Sequence, residues 1–153
     1  MNQMQSERYY SVAEANNLVP ELSQRFGAVI QMRAQLHSMY RSLVARGHTP
    51  ALDLTGATPA VVAMDLPDDI ARDAQVFRGM AEALREQLEQ ITETGCVIRD
   101  IDDGLVDWLA RDRGREIWLC WKYGETEVAY YHELNSGFAG RRPVSELKGA
   151  QGE

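Results

Sequence analysis

A chain of 153 residues has the length of one ordinary domain and can bury a core without staples. Its 23 acidic against 16 basic residues give a formal net charge of -7, which opposes a phosphate backbone and makes nucleic acid an unlikely partner. Cys96 and Cys120 match no zinc spacing and no disulfide framework, and no stretch is apolar enough to span a membrane, so a cytoplasmic protein with reduced core thiols is expected.

Ser11-Val12-Ala13-Glu14 has the form of a capping box. Ala15, Leu22, Val29, Leu36 and Leu43 then recur at every seventh position, with Leu18, Phe26, Met32 and Met39 beside them. This spacing predicts a helix to about Ala45. Pro20 removes one amide and crowds the carbonyl of Asn16, predicting a kink or a short helix followed by a long one. Arg46-Gly47 suits a helix end. A connector from His48 to Pro67 carries Pro50, Gly56 and Pro59 and is expected to be mobile over 48–66. Ile70, Phe77, Leu84 and Ile91 form a second seam that continues to Thr94 and closes at Gly95. Residues 11–94 therefore predict an antiparallel helical hairpin, whose apolar stripe is structural rather than a cofactor box.

After Gly95 the period changes to two, predicting four strands at about Cys96–Ile101, Leu105–Ala110, Arg115–Lys122 and Thr126–Leu134. Asp102-Asp103-Gly104 and Asp112-Arg113-Gly114 are read as type I turns ending in a left-handed glycine, and Tyr123-Gly124 as a tighter hairpin. In the register that follows, Leu109 faces Ile117, Trp108 faces Trp118, Leu119 faces Val128 and Ile117 faces Tyr130. Trp108, Trp118, Tyr131 and Cys120 then share an outer face too apolar to stay wet. Either the chain from Asn135 onward or a second copy should cover it, which makes Trp108, Trp118 and Tyr131 a candidate dimer interface. The meander and a Gly-rich closing loop take up 95–143, and 144–153 is a tail of the same single domain.

The same register bears on the candidate catalytic residues. It puts Asp107 and His132 on one face but opposite Leu119 and Arg115, roughly 13 Å apart at the usual strand rise, too far for a dyad. It sets Arg99 opposite Asp107 as a cross-strand ion pair. His132 and Glu133 point to opposite faces and cannot jointly chelate, and there is no HExxH, cysteine pair or acidic calcium loop, so no metal and no cofactor are expected. His37 and His48 have no partner in sequence. Cys120, with Trp121, Val106 and Glu127 as its neighbours, should have a raised pKa and be inert. Gly137-Phe138-Ala139-Gly140-Arg141-Arg142-Pro143 is the least ordinary run. Arg141 and Arg142, with His132 and Glu125, form the candidate ligand or anion site; the plainer reading is a clamp from the arginines to carboxylates such as Glu14 or Glu21.

Several motifs together resemble one family. They are Glu14-Ala15-Asn16 with Leu18 and Pro20, Arg99-Asp100, Gly104-Leu105-Val106-Asp107-Trp108, Leu119-Cys120-Trp121 with Gly124-Glu125, and His132 with Gly137-Phe138-Ala139-Gly140-Arg141. This ordered set is similar to the uncharacterised prokaryotic domain-of-unknown-function family numbered twenty-two zero three, with the connector least covered. Trp108 stands where that family leads one to expect Phe, and Tyr131 where it leads one to expect Trp. The resemblance implies a small cytoplasmic bacterial protein and brings no activity, substrate or cofactor.

The sequence thus predicts an α+β domain, a long antiparallel helical hairpin packed on a four-stranded antiparallel β-meander, assembled as a homodimer. The leading functional expectation is a non-enzymatic interaction or assembly module. The alternative is a small-molecule or metal-dependent enzyme using Glu125, His132 and Arg141.

Overall fold

The computed structural model describes residues 8–51 and 66–149. Two helices, α1 (Val12–Ala45) and α2 (Asp68–Glu93), precede an antiparallel sheet of five strands in the order β1 (Val97–Asp100), β2 (Leu105–Asp112), β3 (Arg115–Lys122), β4 (Tyr130–Glu133) and β5 (Arg142–Pro143). The expected α+β class holds, with five strands where four were expected. None of the described helices is long and apolar enough to cross a membrane.

The helix signals behave as their chemistry dictates. The Glu14 amide donates to Ser11 Oγ at 3.0 Å and the Ser11 amide donates to Glu14 Oε1 at 3.0 Å, closing the capping box. Pro20 does not divide the helix, which runs unbroken from Val12 to Ala45 with the prolyl residue exposed. One lost amide is a small penalty where solvent reaches the ring and Ala15, Val19, Leu22 and Phe26 anchor the buried side of both halves.

The chain divides into two compact units, one of Gly27–Gln90 and the other of the segments on either side. In the first, Val29, Leu36 and Leu43 of α1 and Ile70, Phe77 and Leu84 of α2 are all buried. The Tyr40 and Phe77 rings lie 6.3 Å apart, and Arg46 at the end of α1 pairs with Asp69 and Asp73 at the start of α2, which makes the hairpin antiparallel. The expected mobile connector falls mostly on residues 52–65, outside the described residues.

In the second unit the sheet takes a different register from the one read by sequence. Arg113 (φ 56) and Gly114 (φ 81) form a two-residue turn with both residues left-handed, so Asp112 pairs with Arg115 and both strands run to the very turn. Leu109 consequently faces Trp118, not Ile117, and Trp108 faces Leu119. A slip of one residue moves side chains to the other face, so Trp108 and Trp118 lie on opposite sides of the sheet. Trp108 joins Val106, Ala110, Ile117, Leu119 and Trp121, all at 0% exposure, on the face that meets α1, where the Phe26 and Trp121 rings are 6.2 Å apart.

The β3–β4 connection is also longer than expected. Glu125 folds it back: its carboxylate accepts from the Lys122 amide, its carbonyl from Trp121 Nε1, and the Val128 amide is taken by Asn16 Oδ1. β4 therefore begins at Tyr130 rather than Thr126, and Leu119 faces Tyr131 rather than Val128. The tail is tied in as well. Leu147 is buried, and the Lys148 and Gly149 amides both donate to Asp112 Oδ1.

Trp108 at 0% and Tyr131 at 3% exposure are thus core residues of this unit, not parts of a shared outer face with Trp118. Two turn glycines test this framework. Gly104 has φ +67 and a Cβ there would meet Tyr123 Cβ at 2.5 Å, whereas Gly114, with φ +81, has open space. Gly114→Ala is expected to cost about 1 kcal/mol of backbone strain and Gly104→Ala about 2–3 kcal/mol, measured by urea denaturation.

Candidate metal centre

Three strands deliver one buried cluster. Asp107 on β2 faces Cys120 on β3, and His132 on β4 faces Trp118, two positions along β3 on the same side. Side chains related in this diagonal way are within reach across a pleated sheet. His132 Nε2 lies 2.9 Å from Asp107 Oδ2, both residues being almost wholly buried. The sequence reading that kept these two roughly 13 Å apart is therefore wrong. Its error was inherited from the two hairpin connections, which misplaced His132 opposite Arg115. Cys120 completes the group: one ligand atom each from Asp107, Cys120 and His132 lies within 4.8 Å of the other two.

The hydrogen-bond chemistry of this cluster is unbalanced. His132 Nδ1 is 2.9 Å from the Glu133 carbonyl, which can only accept, so Nδ1 carries the proton. Nε2 then meets Asp107 Oδ2 either as the donor of a second proton, in an ion pair, or as a lone pair that needs a cation between it and the carboxylate. Asp107 Oδ1 is buried with no hydrogen-bond partner. Burial first, and the adjacent Asp107 charge second, push the Cys120 thiol up to about 12, so it stays a neutral thiol near pH 7. Its neighbours are Asp107 and Tyr130, not the Val106 and Glu127 expected from the earlier register.

One cation already reaches the cluster. The register of β1 on β2 slips between Ile98 and Asp100, leaving Arg99 as the extra residue of a bulge. Arg99 Nε donates to Asp107 Oδ2 at 2.8 Å, and its guanidinium stacks on Trp118 at 4.7 Å. The ion pair expected from the sequence is present, although Val97 is the residue that faces Asp107. A cavity of about 300 Å³ opens here, lined by Arg99, Asp107, Trp118 and His132 on the polar side and by Leu134, Gly137 and Phe138 on the other.

The residues singled out from the sequence are only partly brought together. Arg141 Nη2 meets Glu125 Oε1 at 2.8 Å and stacks against Tyr130 and Phe138. Arg142 pairs with Glu146 at 2.8 Å. Neither arginine reaches Glu14 or Glu21, and His132 joins Asp107 instead of Glu125. A second, more open depression of about 590 Å³ near Arg111 and Arg115 has its charges paired internally, Arg115 with Glu133 and Arg111 with the Tyr9 hydroxyl. Asp107, Cys120 and Arg99 were missed as a site. The usable signal was Arg113-Gly114, which reads as a two-residue turn once Arg is allowed a left-handed conformation.

The fold and this cluster define an α+β protein with an Asp–Cys–His set buried between three strands. The chain belongs to the family described as "Uncharacterized conserved protein (DUF2203)", which it matches over residues 8–144. No curated protein and no solved structure matches it.

The thiols also make stability depend on alkaline pH. Cys96, buried beside β1, is pushed up from 9.0 to about 11, chiefly by burial. Folding keeps it protonated where an unfolded thiol ionises, so its contribution to stability is whole below pH 9.0 and is lost as pH rises through about 11. Between those values wild type is expected to lose about 2 kcal/mol more than Cys96→Ala, read from denaturation midpoints across a pH series.

Proposed function

We propose that this chain is a small metal-dependent enzyme in which Asp107, Cys120 and His132 hold one divalent ion beside the cavity. The observation that carries this is the buried convergence of Asp107, Cys120 and His132, one ligand atom of each within 4.8 Å of the others, with His132 Nε2 2.9 Å from Asp107 Oδ2, Nδ1–H committed to the Glu133 carbonyl and Asp107 Oδ1 unpartnered. A shared proton would reconcile that pair alone. It would leave Asp107 Oδ1 without a partner, whereas one ion engages all three side chains. A backbone carbonyl on the far nitrogen is also the usual support of a metal-bound histidine.

The donor set of one sulfur, one nitrogen and one oxygen suits zinc or ferrous iron rather than magnesium or calcium. The ligand atoms lie within 4.8 Å of one another, and a tetrahedral ion would draw them to about 3.5 Å, a shift that side-chain rotation supplies. Three protein ligands leave a fourth position open, as catalytic sites require, and the cavity lined by Asp107 and His132 gives access to it. The bound ion would supply Lewis acidity. Arg99 and Trp118 would position the substrate. The sheet-face interface expected from the sequence needed Trp108 and Tyr131 on the surface; both are buried, and Trp118 lines the cavity.

Purified protein is expected to carry about one equivalent of zinc or iron, measured by elemental analysis. Cobalt substitution should give a thiolate-to-metal absorption band that Cys120→Ser removes, and His132→Ala should weaken metal affinity by at least about 10–100-fold. Metal uptake releases the thiol proton, so affinity should rise with pH across the neutral range. Protein that retains no metal and gives no band with cobalt would leave Asp107 and His132 as a cross-strand clamp and overturn the proposal.

A further inference from the structure

We infer that the cavity beside the cluster takes a small carboxylate whose apolar body lies against Trp118 and Phe138 and whose carboxylate is gripped by Arg99. This extends the enzyme reading above by naming the substrate class, and it stands on different atoms. Arg99 spends only Nε on Asp107, at 2.8 Å, and among the described residues nothing accepts from either Nη. Its guanidinium is held flat by stacking on Trp118 at 4.7 Å, and its side chain is 40% exposed. A fixed plane with two free amino groups at the edge of a cavity matches the planar fork of a carboxylate.

The other walls agree with this class. Leu105, Leu134, Trp118 and Phe138 supply apolar surface, and Ser136 and Gly137 close the remaining side. At about 300 Å³ the cavity is at the small end of ligand sites, which favours a small ligand. A protein of net charge -7 repels anions over most of its surface, so the cation lining this cavity gives an anionic ligand a local reason to enter. Phosphate is the less suitable anion, because its tetrahedral oxygens need donors from several directions and only one guanidinium edge is free. Asp107 and His132 line the same cavity, so a ligand anchored at Arg99 would lie beside the proposed metal.

The test uses benzoate as probe, with benzamide as its neutral counterpart and phenylphosphonate as the tetrahedral anion, titrated calorimetrically into both zinc-loaded and chelator-stripped protein. Benzoate is expected to bind about tenfold or more tightly than either comparison compound. Arg99→Gln should abolish that preference without changing benzamide. Arg99→Lys, which keeps a cation for Asp107 but loses the planar fork, should reduce the preference while preserving the fold. Phe138→Ala should weaken benzoate and benzamide alike. Arg99-dependent benzoate binding to stripped protein would uphold this inference even if the metal reading failed. Equal affinity for benzoate and benzamide, binding of neither, a preference for phenylphosphonate, or a benzoate preference unchanged in Arg99→Gln would overturn it.

Discussion

Arg113 and Gly114 both sit at positive φ, and that two-residue turn decides which face every side chain of β2 and β3 takes. With it, Asp107 and Cys120 are paired on one side of the sheet while Trp108, Leu119 and Trp121 fill the core on the other. A turn one residue longer would send the carboxylate into the hydrocarbon core and the indole of Trp108 to the cavity side. A non-glycine residue in the left-handed region costs energy, and Arg113 bears it because the flanking ladder, from Leu105–Lys122 to Asp112–Arg115, is otherwise continuous.

Burying Asp107 at 1% exposure is the most expensive thing this unit does. The chain offsets it from two directions, with a bulge at Arg99 that turns a cation inward and a histidine from β4 on the same oxygen. Both partners crowd onto Oδ2 and leave Oδ1 bare. A cluster evolved only for cohesion would be expected to satisfy both oxygens, since a half-satisfied buried network is worse than an apolar one. That imbalance is one of the observations on which the proposed metal site rests.

Much of the architecture was legible in the sequence because its signals are local. The Ser11–Glu14 box and the seven-residue seams each depend on residues a turn or two apart, and each reappears in the structure. Pro20 misled because propensity was weighed without the packing that overrides it. The sheet was harder. Asp107, Cys120 and His132 come from three strands, so their meeting depends on the lengths of two connections, and an error in either changes partners. The Arg113-Gly114 turn was readable from its glycine. The β3–β4 excursion was not, since it is set by Glu125 accepting from the Lys122 amide and by Asn16 of α1 capturing the Val128 amide, contacts across as many as 112 positions.

That same excursion explains why only Glu125 and Arg141 meet among the four residues first grouped as a ligand site. Glu125 is committed to holding its own loop and to Arg141, whose stacking on Tyr130 and Phe138 fixes the closing segment over the sheet edge. Arg141 therefore builds the wall of the cavity from outside, and Phe138 is the side chain it presents inward. The Gly-rich run and the buried cluster line one cavity, the first through Gly137 and Phe138 and the second through Asp107 and His132. Because Asp107, Cys120 and His132 ride on paired strands rather than loops, their spacing is fixed by backbone hydrogen bonds before any ligand arrives. Preorganisation of that kind is what a small sheet offers a site that no single stretch of the chain contains.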